Sequence, residues 1–116
     1  MIAVVLERGR AWDLGCSLAD QAGFAEHVAF VTGLLDREVA IAAGPFADPS
    51  VFQNNDDLVA LALLNLGSVE DGERLFANDP LVAAEVVSAR VYSWGAAPVR
   101  RASDCLSPGH SQVRAR

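Results

Sequence analysis

Between Gln21 and Arg37 the apolar residues Phe24, Val28, Val31, Leu34 and Leu35 recur at helical spacing, which predicts an amphipathic helix with Asp20 as its N-cap. Gly23 and Gly33 weaken that helix locally, each by about 1 kcal/mol relative to alanine. On either side the period changes. Ile2 to Arg8 (IAVVLER) is rich in β-branched residues and reads as a strand, and Val39 to Ala43 (VAIAA) reads as a second strand, ended by Gly44-Pro45. Phe46 to Asp56, with Pro49, Asn54 and Asn55, reads as a loop. Asp57 to Leu66 (DLVALALLNL) contains good helix formers, but with Gly44-Pro45 and a polar loop before it and Gly67 after it, it fits better as a third strand pairing with the second. Ser68 and Asp71 resemble a capping box opening a helix that ends at Asn78, and Asp79-Pro80 then starts a further helical turn through Glu85. Val86 to Trp94 (VVSARVYSW) is the last strand.

The order is β-α-β-β-α-β, the ferredoxin-like arrangement of one four-stranded antiparallel sheet and two main helices in an α+β fold. Two helices cover one face of such a sheet. The strands are apolar on both faces, with Ala3 and Val5 opposite Val4 and Leu6, so the bare face is expected to be buried against a second copy of the chain, a homodimer through the sheet.

Composition narrows the functional classes. The chain has 116 residues, 52% of them hydrophobic and 21% charged, enough for a globular core. The longest apolar stretch, Leu58 to Leu66, is too short to span a bilayer and is interrupted by Asn65, and the first ten residues have no leader pattern, so the expected location is cytoplasmic with no membrane partner. All nine basic residues are arginine. With no lysine there is neither Schiff-base chemistry nor a lysine-dependent phosphate loop. Residues 96–116 carry four arginines against one aspartate, +3, and residues 1–95 carry five arginines against fourteen acids, −9. An acidic body does not suit nucleic-acid binding. We therefore expect a folded domain over residues 1–95 and a flexible basic tail over 96–116, which lacks apolar periodicity. Cys16 and Cys105 form no disulfide framework, and with His27 and His110 they make no metal-ligand spacing.

His27 lies among the apolar residues of the first helix. Two readings stand for it: a core histidine satisfied by a backbone carbonyl, and a titratable group at the wall of a pocket. In the last strand, alternation places Val86, Ser88, Arg90, Tyr92 and Trp94 on one face and Val87, Ala89, Val91 and Ser93 on the other. The smaller apolar set suits packing under helices. The set with Arg90, Tyr92 and Trp94 suits a substrate-binding face for a planar anionic ligand, with an ion pair as the alternative role for Arg90. Gly44 and Pro45 form a turn whose Gly44 N–H is available to a ligand. Trp12, in the loop after the first strand, either lids a site or covers the end of the sheet.

Four stretches in this order, RGRAWD, AGFAEHVAFVTGLLD, IAAGPFAD and LFANDPLVAAEVVSARVYSW, resemble the YCII-related proteins, small dimeric α+β barrels, over roughly residues 1–95. The resemblance implies a histidine in the first helix and an aspartate before the last strand as a catalytic pair, and these positions are His27 and Asp79. It implies no cofactor and no metal. The wider group of dimeric α+β barrels includes isomerases, elimination enzymes and cofactor-independent oxygenases acting on small ring compounds, and some haem proteins. The sequence departs from its relatives at Glu38, where they place glycine. A non-glycine residue in left-handed geometry costs about 1 kcal/mol or more, so a changed turn is expected there. The basic tail lies outside the likeness. The reading that results is a small cofactor-free enzyme of lyase or isomerase type. In it His27 moves a proton on a small, cyclic or anionic substrate and Asp79 orients its ring. The alternative is a non-catalytic dimer that binds a small ligand or a partner protein.

Overall fold

The computed structural model describes residues 1–47 and 57–95. Strand β1 (Ile2–Arg8) is followed by a loop with one 3-10 turn (Leu18–Asp20), helix α1 (Phe24–Asp36) and strand β2 (Ala40–Pro45). Strand β3 (Leu58–Leu64), helix α2 (Val69–Phe76), the short helix α3 (Pro80–Ala83) and strand β4 (Val87–Ser93) complete the described fold. The strand order is β2-β3-β1-β4, and every neighbouring pair is antiparallel, as the ferredoxin-like arrangement requires. Most of the loop expected at Phe46 to Asp56, and the whole basic tail at 96–116, lie outside the described residues.

Alternation along the strands creates the core. Ile2, Val4 and Leu6 of β1 are buried together with Ala62 and Leu64 of β3 and Val87 of β4, and Leu34 of α1, Phe76 of α2 and Leu81 of α3 pack down on them. Phe30 of α1 meets Phe76 edge-on, with ring centroids 5.5 Å apart at 85°, which ties the two long helices to each other over the same sheet face. Gly72 lets α2 approach the sheet closely: a Cβ there would stand 2.9 Å from both Ile2 Cγ2 and Val91 Cγ1. Among the described residues, the other sheet face carries no helix. Ala3, Val5, Leu61 and Leu63 are only half-buried there, and Ser88, Arg90 and Tyr92 are exposed.

Several boundaries differ from expectation for identifiable reasons. Asp20 does not cap α1. Its carboxylate accepts from the Ser17 hydroxyl at 3.1 Å within the 3-10 turn, and the helix begins after Gly23, whose φ of 92° only glycine adopts readily. Gly44-Pro45 does not end β2 but belongs to it. Pro45 is tolerated because β2 is an edge strand, and the pairing continues with Phe46 N–H donating to Val59 O at 3.0 Å. The expected stripe on α1 divides. Leu34 enters the core, whereas Phe24, Val28, Val31 and Leu35 stay partly or largely exposed along a cleft. At α2 the Ser68 hydroxyl accepts from Asp71 N–H at 3.1 Å, as the capping pattern predicts.

The changed turn expected at Glu38 is absent. Glu38 takes the left-handed conformation itself, φ 60°. Glu38 N–H donates to Leu35 O and Val39 N–H to Leu34 O, at 3.1 and 2.9 Å, the paired bonds of a Schellman motif. Helix α3 ends the same way: Glu85 has φ 62°, and Glu85 N–H and Val86 N–H donate to Val82 O and Leu81 O. In both places two hydrogen bonds and the strand that follows hold a glutamate where glycine would sit without strain.

Candidate active site

The first turn of α1 presents His27 toward α3. Its Nδ1 lies 2.8 Å from Oδ1 of Asp79, 52 residues further along the chain. The His27 side chain is 10% exposed and that of Asp79 is fully buried. Of the two readings that the sequence left open for His27, the carbonyl-satisfied one does not hold: a carboxylate takes the bond. Asp79 stands at the N-cap position of α3 with extended backbone, as Asp79-Pro80 predicts, but its side chain makes no capping bond. Oδ1 is committed to His27, and Oδ2 is buried without a partner among the described residues.

A buried carboxylate bonded at Nδ1 fixes the ring's orientation. With Asp79 accepting from Nδ1–H, Nε2 is the ring nitrogen left for another partner. His27 lines an open cleft of about 230 Å³. The cleft runs between α1 and the covered face of the sheet. Phe24, Val28, Val31 and Leu35 of α1 form one wall, and Leu6, Ala60 and Ala62 with Gly44 and Pro45 form the other. Phe24 also contacts the imidazole, with ring centroids 6.1 Å apart. The cleft is therefore apolar with one basic nitrogen in its wall, an arrangement suited to taking a proton from a small bound molecule. Among the described residues no three His, Cys, Asp or Glu side chains group to hold a metal ion, and no helix is long and apolar enough to cross a membrane.

The structure does not bring all the predicted site residues together. Gly44 and Pro45 line the His27 cleft. Arg90 and Tyr92 lie on the open sheet face, away from it. Arg90 Nε donates to Glu7 Oε1 across the β1–β4 pair at 2.8 Å, and Trp94, just past the end of β4, is 45% exposed. The Glu7 carboxylate, through its hydrogen bond, raises the pKa of the Arg90 guanidinium, and Tyr92 adds to the shift. Trp12 lies beneath the guanidinium of Arg8, whose Cζ is 5.4 Å from the ring centroid, beside a second depression that adjoins the cleft.

Gln21 is the residue that sequence reasoning passed over. It is buried, and its amide accepts from Asp13 N–H at 3.0 Å and donates to Asp13 O and Cys16 O at 2.9 and 3.0 Å. It thereby stitches the loop before α1 into a fixed shape and sets where His27 enters the site. A polar residue in a helix-flanking position carries no pattern that announces this role.

No family model matches the chain, and no curated protein matches it. Among solved structures the chain is similar to 5-chloro-2-hydroxyhydroquinone dehydrochlorinase from Burkholderia phenoliruptrix AC1100, in complex with 2,5-dihydroxybenzoquinone. The TM-score is 0.56 and the identity 18%, over 82% of this chain and 94% of that one. The likeness shows a shared α+β fold.

Proposed function

We propose that the chain is a small cofactor-free enzyme of the YCII-related kind, in which the His27–Asp79 pair transfers a proton on a small, ring-bearing substrate in a lyase- or isomerase-type reaction. The observation that carries this reading is a buried imidazole bonded through Nδ1 to a fully buried carboxylate at 2.8 Å, on a residue that lines an open cleft. Nε2 takes a proton from a C–H or O–H of the bound ring. The electron pair of the broken bond either expels a leaving group from the neighbouring carbon or is reprotonated at another ring position. Asp79 favours the imidazolium that forms and keeps the ring from turning.

The structural neighbour acts, by its name, on a chlorinated hydroxyhydroquinone, which supplies a first assay. The chain is incubated with 5-chloro-2-hydroxyhydroquinone, and chloride release is measured beside deuterium incorporation from solvent into the ring. Catalysed release or exchange that falls about 10²-fold or more in His27→Gln, with the fold intact, supports the reading. Full turnover in that variant overturns it.

The open sheet face fits self-association, since Val5, Leu61 and Leu63 form an apolar strip there with Glu7 and Arg90 at its margin. Sedimentation at micromolar concentration is expected to report twice 12.3 kDa. Leu61→Glu is expected to halve that mass, and a wild-type monomer would remove the dimer from the reading.

A further inference from the structure

We infer that Arg8, stacked on Trp12, is an anion-recognising subsite at the end of the His27 cleft, so that the molecule bound there pairs an apolar ring with a carboxylate or similar anionic substituent. The inference rests on the cleft being the ligand site, and adds the substituent and the residue that reads it.

Three observations carry it. First, the cleft and the depression beside Trp12 share Leu18 and Pro45 as walls, so one continues into the other. Second, the two are linked along β1. Ile2, Val4 and Leu6 alternate on the covered face of the strand, and Arg8 is the next residue in that row. Leu6 lines the cleft and Arg8 the depression, two residues on, so their Cα atoms are roughly 6–7 Å apart. A group on a ring lying against Leu6 and Ala60 reaches that distance with one or two bonds of spacer.

Third, the charge of Arg8 is uncommitted. Among the described residues Arg10 pairs with Glu85, Arg74 with Asp71 and Arg90 with Glu7, and Arg37 donates to Gly33 O. Arg8 is exposed and contacts no carboxylate there. Its guanidinium lies over the Trp12 ring, which limits its motion and leaves its N–H groups for another acceptor. Of the acids around this end of β1, Asp57 accepts from the Arg8 backbone N–H through its own backbone carbonyl, Glu85 pairs with Arg10, and Asp13 and Asp20 bond within their own loop. Asp13 accepts from Gly15 N–H and the Cys16 thiol, and Asp20 from the Ser17 hydroxyl. Within the cleft itself His27 and Thr32 are the polar side chains, so an anionic group is better satisfied at Arg8 than among Phe24, Val28 and Leu35.

The test compares matched probes on the whole chain: benzoate, phenylacetate and 3-phenylpropanoate, each against its neutral primary amide. Binding is followed by calorimetry and by the NMR shift of the His27 ring protons. At least one carboxylate is expected to bind about fivefold more tightly than its amide at low salt, the upper range for a solvent-facing ion pair. The preference is expected to vanish in Arg8→Gln, to survive in large part in Arg8→Lys, and to shrink with added salt, while amide affinity stays the same in all three proteins. Equal binding of acid and amide in the wild type overturns the inference, and so does a preference that persists in Arg8→Gln. Amide binding that shifts His27 without any carboxylate preference removes Arg8 and leaves the cleft standing. No binding of either probe type removes both.

Discussion

Leu63 and Leu64 are neighbours on β3 and end in opposite surroundings. Leu64 is completely buried under the helices, and Leu63 lies half-buried on the face that no described helix covers. The same contrast runs across the whole sheet. The covered face holds Ile2, Val4, Leu6 and Val87 in a close-packed layer, and at its margin that layer opens into the His27 cleft. The open face combines Val5 and Leu61 with the Glu7–Arg90 pair and Tyr92. Residue type does not separate the faces, because both carry branched apolar side chains. The connections separate them: β1 and β2 run parallel, as do β3 and β4, and the right-handed sense of such crossovers brings α1 and α2 to the same side. A sheet apolar on both faces thus assigns its buried polar pair to the side where two helices leave a gap.

The largest effect expected from this contrast comes from truncating the two leucines. Leu64→Ala should destabilise the fold by about 3 kcal/mol through lost burial and a residual cavity, and Leu63→Ala by less than about 1 kcal/mol, both read by urea denaturation. Equal costs would mean that the open face is as tightly packed as the covered one. Asp79 comes next. Asp79→Ala should cost about 1–3 kcal/mol by leaving Nδ1 of His27 unpaired in a buried place. Asp79→Asn, whose amide oxygen can still accept from Nδ1, should fold nearly as well and lose activity about 10²-fold or more. An Asn variant with full activity would show that the carboxylate only holds the ring.

Smaller effects are expected from the charged margins. Arg90→Met should leave the melting temperature almost unchanged and leave the affinity of a cleft probe unchanged, because Arg90 pairs with Glu7 on the other side of the sheet. Weakened probe binding would mean that the two faces communicate. The smallest effect should be a pH dependence from Glu85, whose hydrogen bond and charge contact with Arg10 hold its carboxyl below the ordinary value. A carboxyl with a depressed folded-state pKa contributes its stabilisation above the unfolded-state pKa and loses it as pH falls through the lowered one. The melting temperature of Arg10→Ala should therefore differ slightly from wild type near neutrality and converge with it in acid. Curves offset equally at all pH values would assign the Arg10 effect to packing.

Much of the fold was legible. Residues 2–8 carry their strand in β-branched composition, and DLVALALLNL was separable from a helix by the Gly44-Pro45 and polar loop before it and the glycine after it, despite its propensity. The β4 alternation correctly set Val87, Ala89 and Val91 under the helices. The site was legible in halves. A polar ring on the α1 stripe marks His27, but its partner 52 residues away has no periodic relation to it, and only the family resemblance named Asp79. Local preference misled where tertiary structure overrode it. Asp20 looks like a cap and serves a 3-10 turn, Pro45 looks like a stop and sits in an edge strand, and Glu38 looks like a changed turn and keeps the left-handed one. Arg90 lies on the face away from the helices, as the alternation set it, but strand alternation could not tell that His27 opens on the covered side, so the two residues do not share a site.

Strand β1 occupies an interior place in the sheet, between β3 and β4, and this orders events in time. It is the first strand synthesised, yet its two neighbours are residues 58–64 and 87–93, and Ile2 pairs with Ser93 at the far end of the described chain. At about 5–20 residues per second, roughly 4–17 s of translation separates the completion of β1 from that of its second partner. Over that interval Val4 and Val5 keep an unpaired edge, so a nascent chain is most vulnerable to misassociation before β4 emerges. Such distant pairings also predict slow refolding for a chain of this size, and a ribosome-stalled chain ending before residue 87 should be a better chaperone client than the finished one.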